Sequence, residues 1–203
     1  MKTIPRVFII ESLDFSDEQA DRFEGKILAK MLQLSGSESQ YIYLRTRREL
    51  EKAITLFKKS KFRYLHISCH GNRSGIALTL NSLSFDELGK ILGPALRGRR
   101  VFFSSCFVVT TACAAPLLFG TGCLSVIGPY RKIHFDRATI FWSAFYHIML
   151  RDESSSMKSQ KIQEITSSLQ EVFSVHMRYF RKSDTANCGF KQAQLRADSK
   201  GKL

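Results

Sequence analysis

At 203 residues, with 44% hydrophobic and 24% charged side chains, the chain suits one folded domain with a real core and is too apolar to stay disordered. Its formal net charge of +13 raises the question of an anionic partner, but the bases are scattered over several segments, which disfavours a dedicated nucleic-acid surface. Five cysteines without CxxC or ligand-pair spacing argue against zinc and for free thiols in a reducing compartment.

The start, Met1-Lys2-Thr3-Ile4-Pro5-Arg6, leads into a strand pattern rather than an apolar leader, so the expected location is the cytoplasm. Val7 to Ile10 reads as a short buried strand. Ser16-Asp17-Glu18 carries helix-start chemistry with acids in the first turn. Ala20, Phe23, Ile27, Leu28, Met31 and Leu34 then recur at helical spacing, which predicts one helix stopped at Ser35-Gly36. Tyr41 to Leu44 is a second strand. Thr46 opens a second helix with Leu50, Ala53, Ile54 and Phe57 as its apolar stripe. Phe62 to Cys69 is a third strand, followed by a small hairpin pattern between Ile76 and Phe85.

A third helix is predicted from Phe85 to Leu96, then a fourth strand from Val101 to Cys106, a short helix from Thr111 to Phe119 and a fifth strand from Leu124 to Ile127. No charged residue occurs from Val101 to Tyr130, a length that would cross a bilayer. Pro116, Gly120, Gly122, Gly128 and Pro129 interrupt it, so buried parallel strands around a buried helix account for it better, and no membrane is expected. Asp136 is placed as the N-cap of an aromatic-rich helix, with Phe135 and Ile140 as a hydrophobic staple. Ser154-Ser155-Ser156 reads as a hinge, Ile162 to Phe180 as a last amphipathic helix, and the residues from Ser183 as a basic, frayed tail. The division expected is 1–150 as the main domain and 151–203 as a helical extension with a tail. Strands alternating with helices at this pace imply an α/β, doubly wound, mostly parallel sheet.

Such sheets bind ligands beyond the C-terminal ends of their strands. His70 and Cys106 both fall at such ends. A thiol that can become thiolate and an imidazole to shuttle its proton are the two groups a cysteine hydrolase needs. Gly71 follows the histidine, so its N–H can approach a substrate carbonyl without a Cβ intervening. With the Cys106 N–H it would form an oxyanion hole. No third carboxylate is evident, which predicts a Cys-His dyad. A free cysteine or a hydrogen-bonded loop histidine is the usual fate of either residue alone; the pairing gives them weight. Cys69, Cys113 and Cys123 read as core thiols.

These residues resemble the caspase-like cysteine peptidases, and among them the separase-related CHAT domains. His66-Ile67-Ser68-Cys69-His70-Gly71 resembles the family's strand ending in Cys-His-Gly. Arg97 to Val101 leading into Ser105-Cys106 resembles its nucleophile strand. Asp136, Ala138, Phe141, Phe145 and Tyr146 resemble the acid and aromatic helix after its fifth strand, so that the resemblance runs from about Val7 to Leu150. It implies a fold of the caspase-hemoglobinase type, thiol-dependent endopeptidase action on a protein substrate through His70 and Cys106, and no cofactor. It further implies regulation by a protein partner or homo-oligomer, and a setting such as bacterial defence or cell death. In separase-like relatives an acid after the fifth strand receives a basic side chain. Asp136 lies in the matching region, and Glu11, at the end of the first strand, is a second candidate for substrate binding. Phe107-Val108-Val109-Thr110 departs from the family, which has a glycine-containing turn after its nucleophile, and Pro129-Tyr130 stand where it often has a tryptophan. The alternative reading is therefore a pseudo-enzyme of the same fold that acts as an interaction module.

Overall fold

The structure, a computed structural model, describes residues 3–151 and 157–195. Its main sheet is formed by β1 (Ile4–Ser12), β2 (Ser39–Tyr43), β3 (Phe62–Gly71), β6 (Arg100–Ser104), β7 (Ser125–Pro129), β8 (Met177–Lys182) and β9 (Phe190–Ala193), in the spatial order β2-β1-β3-β6-β7-β8-β9. The five strands from β2 to β7 are parallel; β8 and β9 continue the sheet antiparallel. A short hairpin, β4 (Gly75–Ala77) with β5 (Ser82–Ser84), hangs on the end of β3.

Helices cover both faces, as the apolar runs require. Phe8, Ile10, Leu65, Ile67, Val101 and Phe103 pack on one face with α3 (Arg47–Ser60), α4 (Phe85–Leu92) and α5 (Thr111–Leu118). The alternate residues Val7, Ile9, Tyr64 and Phe102 face α2 (Glu24–Leu34), α6 (Phe135–Leu150) and α7 (Ser159–Val172). One strand thus feeds two cores because its side chains alternate. The charge-free run is accounted for by β6, α5 and β7, whose members are largely buried, and no helix among the described residues is long and apolar enough to cross a membrane. Thr46 caps α3 as expected, and the Glu49 carboxylate returns the bond to the Thr46 N–H, completing a capping box.

Several expectations change. The single helix expected from Ser16 to Leu34 is two: α1 (Phe15–Gln19) and α2, separated by Asp21 at φ +52°. The break has a cause, since the Gly25 and Lys26 N–H groups at the start of α2 donate to the Glu11 carboxylate rather than to a preceding helical turn. Asp136 does not cap α6; His134 holds the N-cap position without a side-chain bond, and Ile140 is half-exposed, so no staple forms. The helix expected to reach Phe180 ends at Val172. From Val175 to Tyr179 every second residue (Val175, Met177, Tyr179) is buried, the period of a strand, and β8 takes its place. The tail is not wholly frayed: residues 190–193 form β9, and Phe190 packs edge-on against Phe180. The serine hinge at 154–156 lies outside the described residues.

Candidate active site

β3 and β6 are neighbours in parallel register, with Ser68 opposite Ser104. His70 and Cys106 each lie two residues further along, so the register delivers both to the same edge. They line one cleft of about 330 Å³. Gly71 shows how close the two strand ends come: a Cβ there would stand 2.4 Å from Val108 Cγ2 and 2.7 Å from Ser105 Oγ. The glycine is therefore required by packing as well as by any role of its N–H.

The Cys106 side is held by backbone. Its thiol donates to the Ile133 carbonyl at 3.3 Å and lies 3.4 Å from the Ile133 N–H; these, and not His70, are its hydrogen-bond partners. The turn out of Cys106, made without a glycine, puts Phe107 at φ +62°, a left-handed conformation that costs a non-glycine residue about 1–2 kcal/mol. The surroundings enforce it. The Phe107 and Val109 N–H groups donate to the Arg131 and Pro129 carbonyls at 3.2 and 3.0 Å, and Val108 and Val109 are fully buried.

The His70 side is held by charge. His70 Nε2 is 2.6 Å from Asp17 Oδ2 and 3.5 Å from Asp14 Oδ2. Asp17, the one buried residue of α1, also accepts from Arg22 Nη1 at 2.8 Å. Asp14 caps α1 by accepting the Asp17 N–H at 2.8 Å. That bond, with a second from Ser16, holds its carboxyl below the usual carboxylate range. Asp14, Asp17 and His70 bring one ligand atom each within 4.8 Å of one another, near enough for a cation, but their mutual bonding and Arg22 account for the grouping. The Phe135 ring stands edge-on to the imidazole at 5.8 Å. A carboxylate thus adjoins the histidine as a third group, where the sequence predicted none. Its only signal was an acid at a helix start, which looks like ordinary capping chemistry.

The acids expected to bind substrate lie elsewhere. Glu11 is fully buried beneath α2, bonded to the Gly25 N–H at 2.7 Å and the Tyr41 hydroxyl at 2.8 Å, and does not line the cleft. Burial pushes its carboxyl up to about 7, against the lowering effect of those bonds. Asp136 is exposed and lines a neighbouring depression with Ile27, Thr139 and Ile140. Glu24, not singled out from sequence, lines the cleft itself and is 2% exposed. Ser68 Oγ donates to its Oε2, while its Oε1 has no hydrogen-bond partner and lies 3.6 Å from His66 Nε2. His66 continues this buried polar chain to the Tyr146 hydroxyl at 3.2 Å. Cys69, Cys113 and Cys123 are core thiols, and burial pushes those of Cys69 and Cys123 up to about 12.

No protein-family model matches the sequence, and no curated protein matches it. Among solved structures, the chain is similar to a secreted C11 cysteine protease from Bacteroides thetaiotaomicron, "iotapain". The TM-score is 0.57 at 12% identity, covering 89% of this chain and 67% of that one. At such identity the similarity speaks to the fold, and the fold it shows is the caspase-like one: a mostly parallel sheet between two layers of helices.

Proposed function

We propose that the protein is a cysteine endopeptidase of the caspase-like type, with Cys106 as nucleophile and His70 as its proton partner. The observation that carries this reading is the shared register: an imidazole and a thiol, His70 and Cys106, stand at equivalent positions just beyond the paired stretch of adjacent parallel strands and open into one cleft. The Cys106 thiolate attacks the scissile carbonyl, its proton having passed to His70. The carbonyl oxygen, now negative, is held by the Gly71 and Cys106 N–H groups, a term often worth about 3 kcal/mol per donor. His70 then protonates the departing amine, and water, deprotonated by the same imidazole, releases the acyl group and restores the thiol.

Glu24 is the acid best placed to receive a substrate side chain, in preference to Asp136 or Glu11. Glu24 lines the cleft wall with its Oε1 facing the buried His66 Nε2 at 3.6 Å, and a guanidinium or ammonium group entering the cleft would meet the charge of its carboxylate. The Cys106 thiol must leave the Ile133 backbone to act, which gives a regulatory partner or a second copy a contact to change. Membership of the CHAT domains, and any defence role, is the finer form of this reading.

The test is covalent labelling with arginyl, lysyl and neutral peptidyl acyloxymethyl ketones. Arginyl or lysyl probes are expected to label Cys106, with labelling lost in Cys106→Ala and the basic preference lost in Glu24→Gln. If Cys106 reacts with none of them, in any oligomeric state, the peptidase reading fails. A second reading, a pseudo-enzyme that binds a protein partner, draws support from the strained Phe107 and from the thiol's bonding away from His70. It would be favoured by intact folding with no labelling.

A further inference from the structure

We infer that Asp17 is a positioning residue for His70, so that the site works as a Cys-His-Asp system and not as a dyad; this rests on the peptidase reading above. Asp17 is 4% exposed and its two oxygens have separate duties. Oδ1 accepts from Arg22 Nη1 at 2.8 Å, and Oδ2 meets His70 Nε2 at 2.6 Å. An ionised carboxylate only accepts, so the ring proton of neutral His70 resides on Nε2, and Nδ1 keeps the lone pair that takes the thiol proton. Once His70 is protonated, the same carboxylate stabilises the imidazolium beside the thiolate.

Besides Asp17, the ionisable groups lining the cleft with His70 are Asp14, Arg22, Glu24, Cys69, Cys106, Lys132 and His134. Of the acids among them, Asp14 is the nearer competitor, yet its Oδ2 is 3.5 Å away and its side chain is 55% exposed, which screens it. Arg22 sharpens the inference. In Asp17→Asn the amide oxygen is drawn to the Arg22 guanidinium, so the NH₂ turns to His70 Nε2 and forces the proton onto Nδ1. That is the wrong tautomer for a base. With Arg22 also removed, the amide is free to turn its oxygen back to the imidazole.

The experiment compares wild type, Asp17→Asn, Arg22→Ala, the double variant and Asp17→Glu. ¹⁵N–¹H NMR of the His70 ring reads the tautomer, and the pH profiles of kcat and KM read the chemistry, with folding verified by circular dichroism. Wild type is expected in the Nε2–H form and Asp17→Asn in the Nδ1–H form. Asp17→Asn should lose about 10–100-fold in kcat with little change in KM, and its alkaline limb should fall by about one pH unit. The double variant and Asp17→Glu should each recover part of the loss. A role confined to anchoring α1 would lower stability in Asp17→Asn and Arg22→Ala alike and leave tautomer and pH profile unmoved, and that result overturns the inference. An Nδ1–H wild type overturns it too. If wild type cleaves no peptide, the peptidase reading falls while the tautomer still decides whether Asp17 positions His70.

Discussion

The two walls of the cleft are built from different physics. The His70 wall is an array of charges: Asp14 at the N-cap of a five-residue helix and Asp17 within it face the imidazole, and Arg22 just beyond it pairs with Asp17. The Cys106 wall is backbone and apolar packing: a left-handed Phe107, two fully buried valines and main-chain bonds to the 129–133 segment. The first wall should respond to pH and to the loss of a charge, the second to the loss or gain of a methyl group. Gly71 belongs to both, since it follows the histidine and touches Val108 and Ser105.

The seam at Gly71 should break most severely. Gly71→Ala puts a Cβ inside the contact distance of two buried groups, and is expected to cost about 1–3 kcal/mol in denaturant unfolding while also lowering Cys106 labelling. A variant as stable as wild type would show that the walls are not in fact locked together.

Behind the charged wall, outside the cleft itself, a buried acid yields a pH effect of similar size. Glu11, beneath α2, has its folded carboxyl raised to about 7 from an ordinary 4.5. Raised means that its contribution is fully present below about pH 4.5 and is lost as pH rises through about 7. This single group should therefore remove on the order of 3 kcal/mol of stability across that window. Unfolding free energies measured at pH 4.5 and 7.5 should show the loss in wild type and a flatter profile in Glu11→Gln. An unchanged slope in that variant would locate the effect elsewhere.

A third outcome separates the thiols. Iodoacetamide under native conditions should modify Cys106 and the exposed Cys188 and spare Cys69, Cys113 and Cys123, which are buried and, for Cys69 and Cys123, pushed up to about 12. Peptide mapping after brief alkylation reads this directly. Modification of Cys69 at the Cys106 rate would mean that the wall behind the nucleophile opens readily.

The smallest effect is at Phe107. Glycine relieves the left-handed strain of about 1 kcal/mol but adds a similar entropy to the unfolded chain, so Phe107→Gly should lie within about 1 kcal/mol of wild type. A larger loss would show that the ring, with the Arg73 guanidinium 5.9 Å from its centroid, contributes packing beyond the turn itself.

What was legible followed from local pattern. The five parallel strands were visible because buried strands are continuous apolar runs, and α3 because Thr46 and the Leu50-Ala53-Ile54-Phe57 stripe carry cap and period together. The break between α1 and α2 was not, since Ala20, Phe23 and Ile27 keep helical spacing although Ala20 and Ile27 end exposed. Their pattern is local, whereas the break is made by Glu11, more than ten residues away in sequence. At the far end, Val175, Met177 and Tyr179 carried a strand period, overridden in reading by the helical segment before them.

The sequence by itself determined the sheet's five parallel strands, helices such as α3 that carry their own cap and period, and the placing of His70, Gly71 and Cys106 at strand ends, because each depends on periodicity and on residues adjacent in the chain. Only the tertiary structure decided what surrounds them. Asp17 reaches His70 across 53 residues, Glu24 meets Ser68 across 44, and Ile133 holds Cys106 across 27. An acid at a helix start carries the same local signal whether it faces water or a buried imidazole. The difference lies in which strand end the fold sets opposite it.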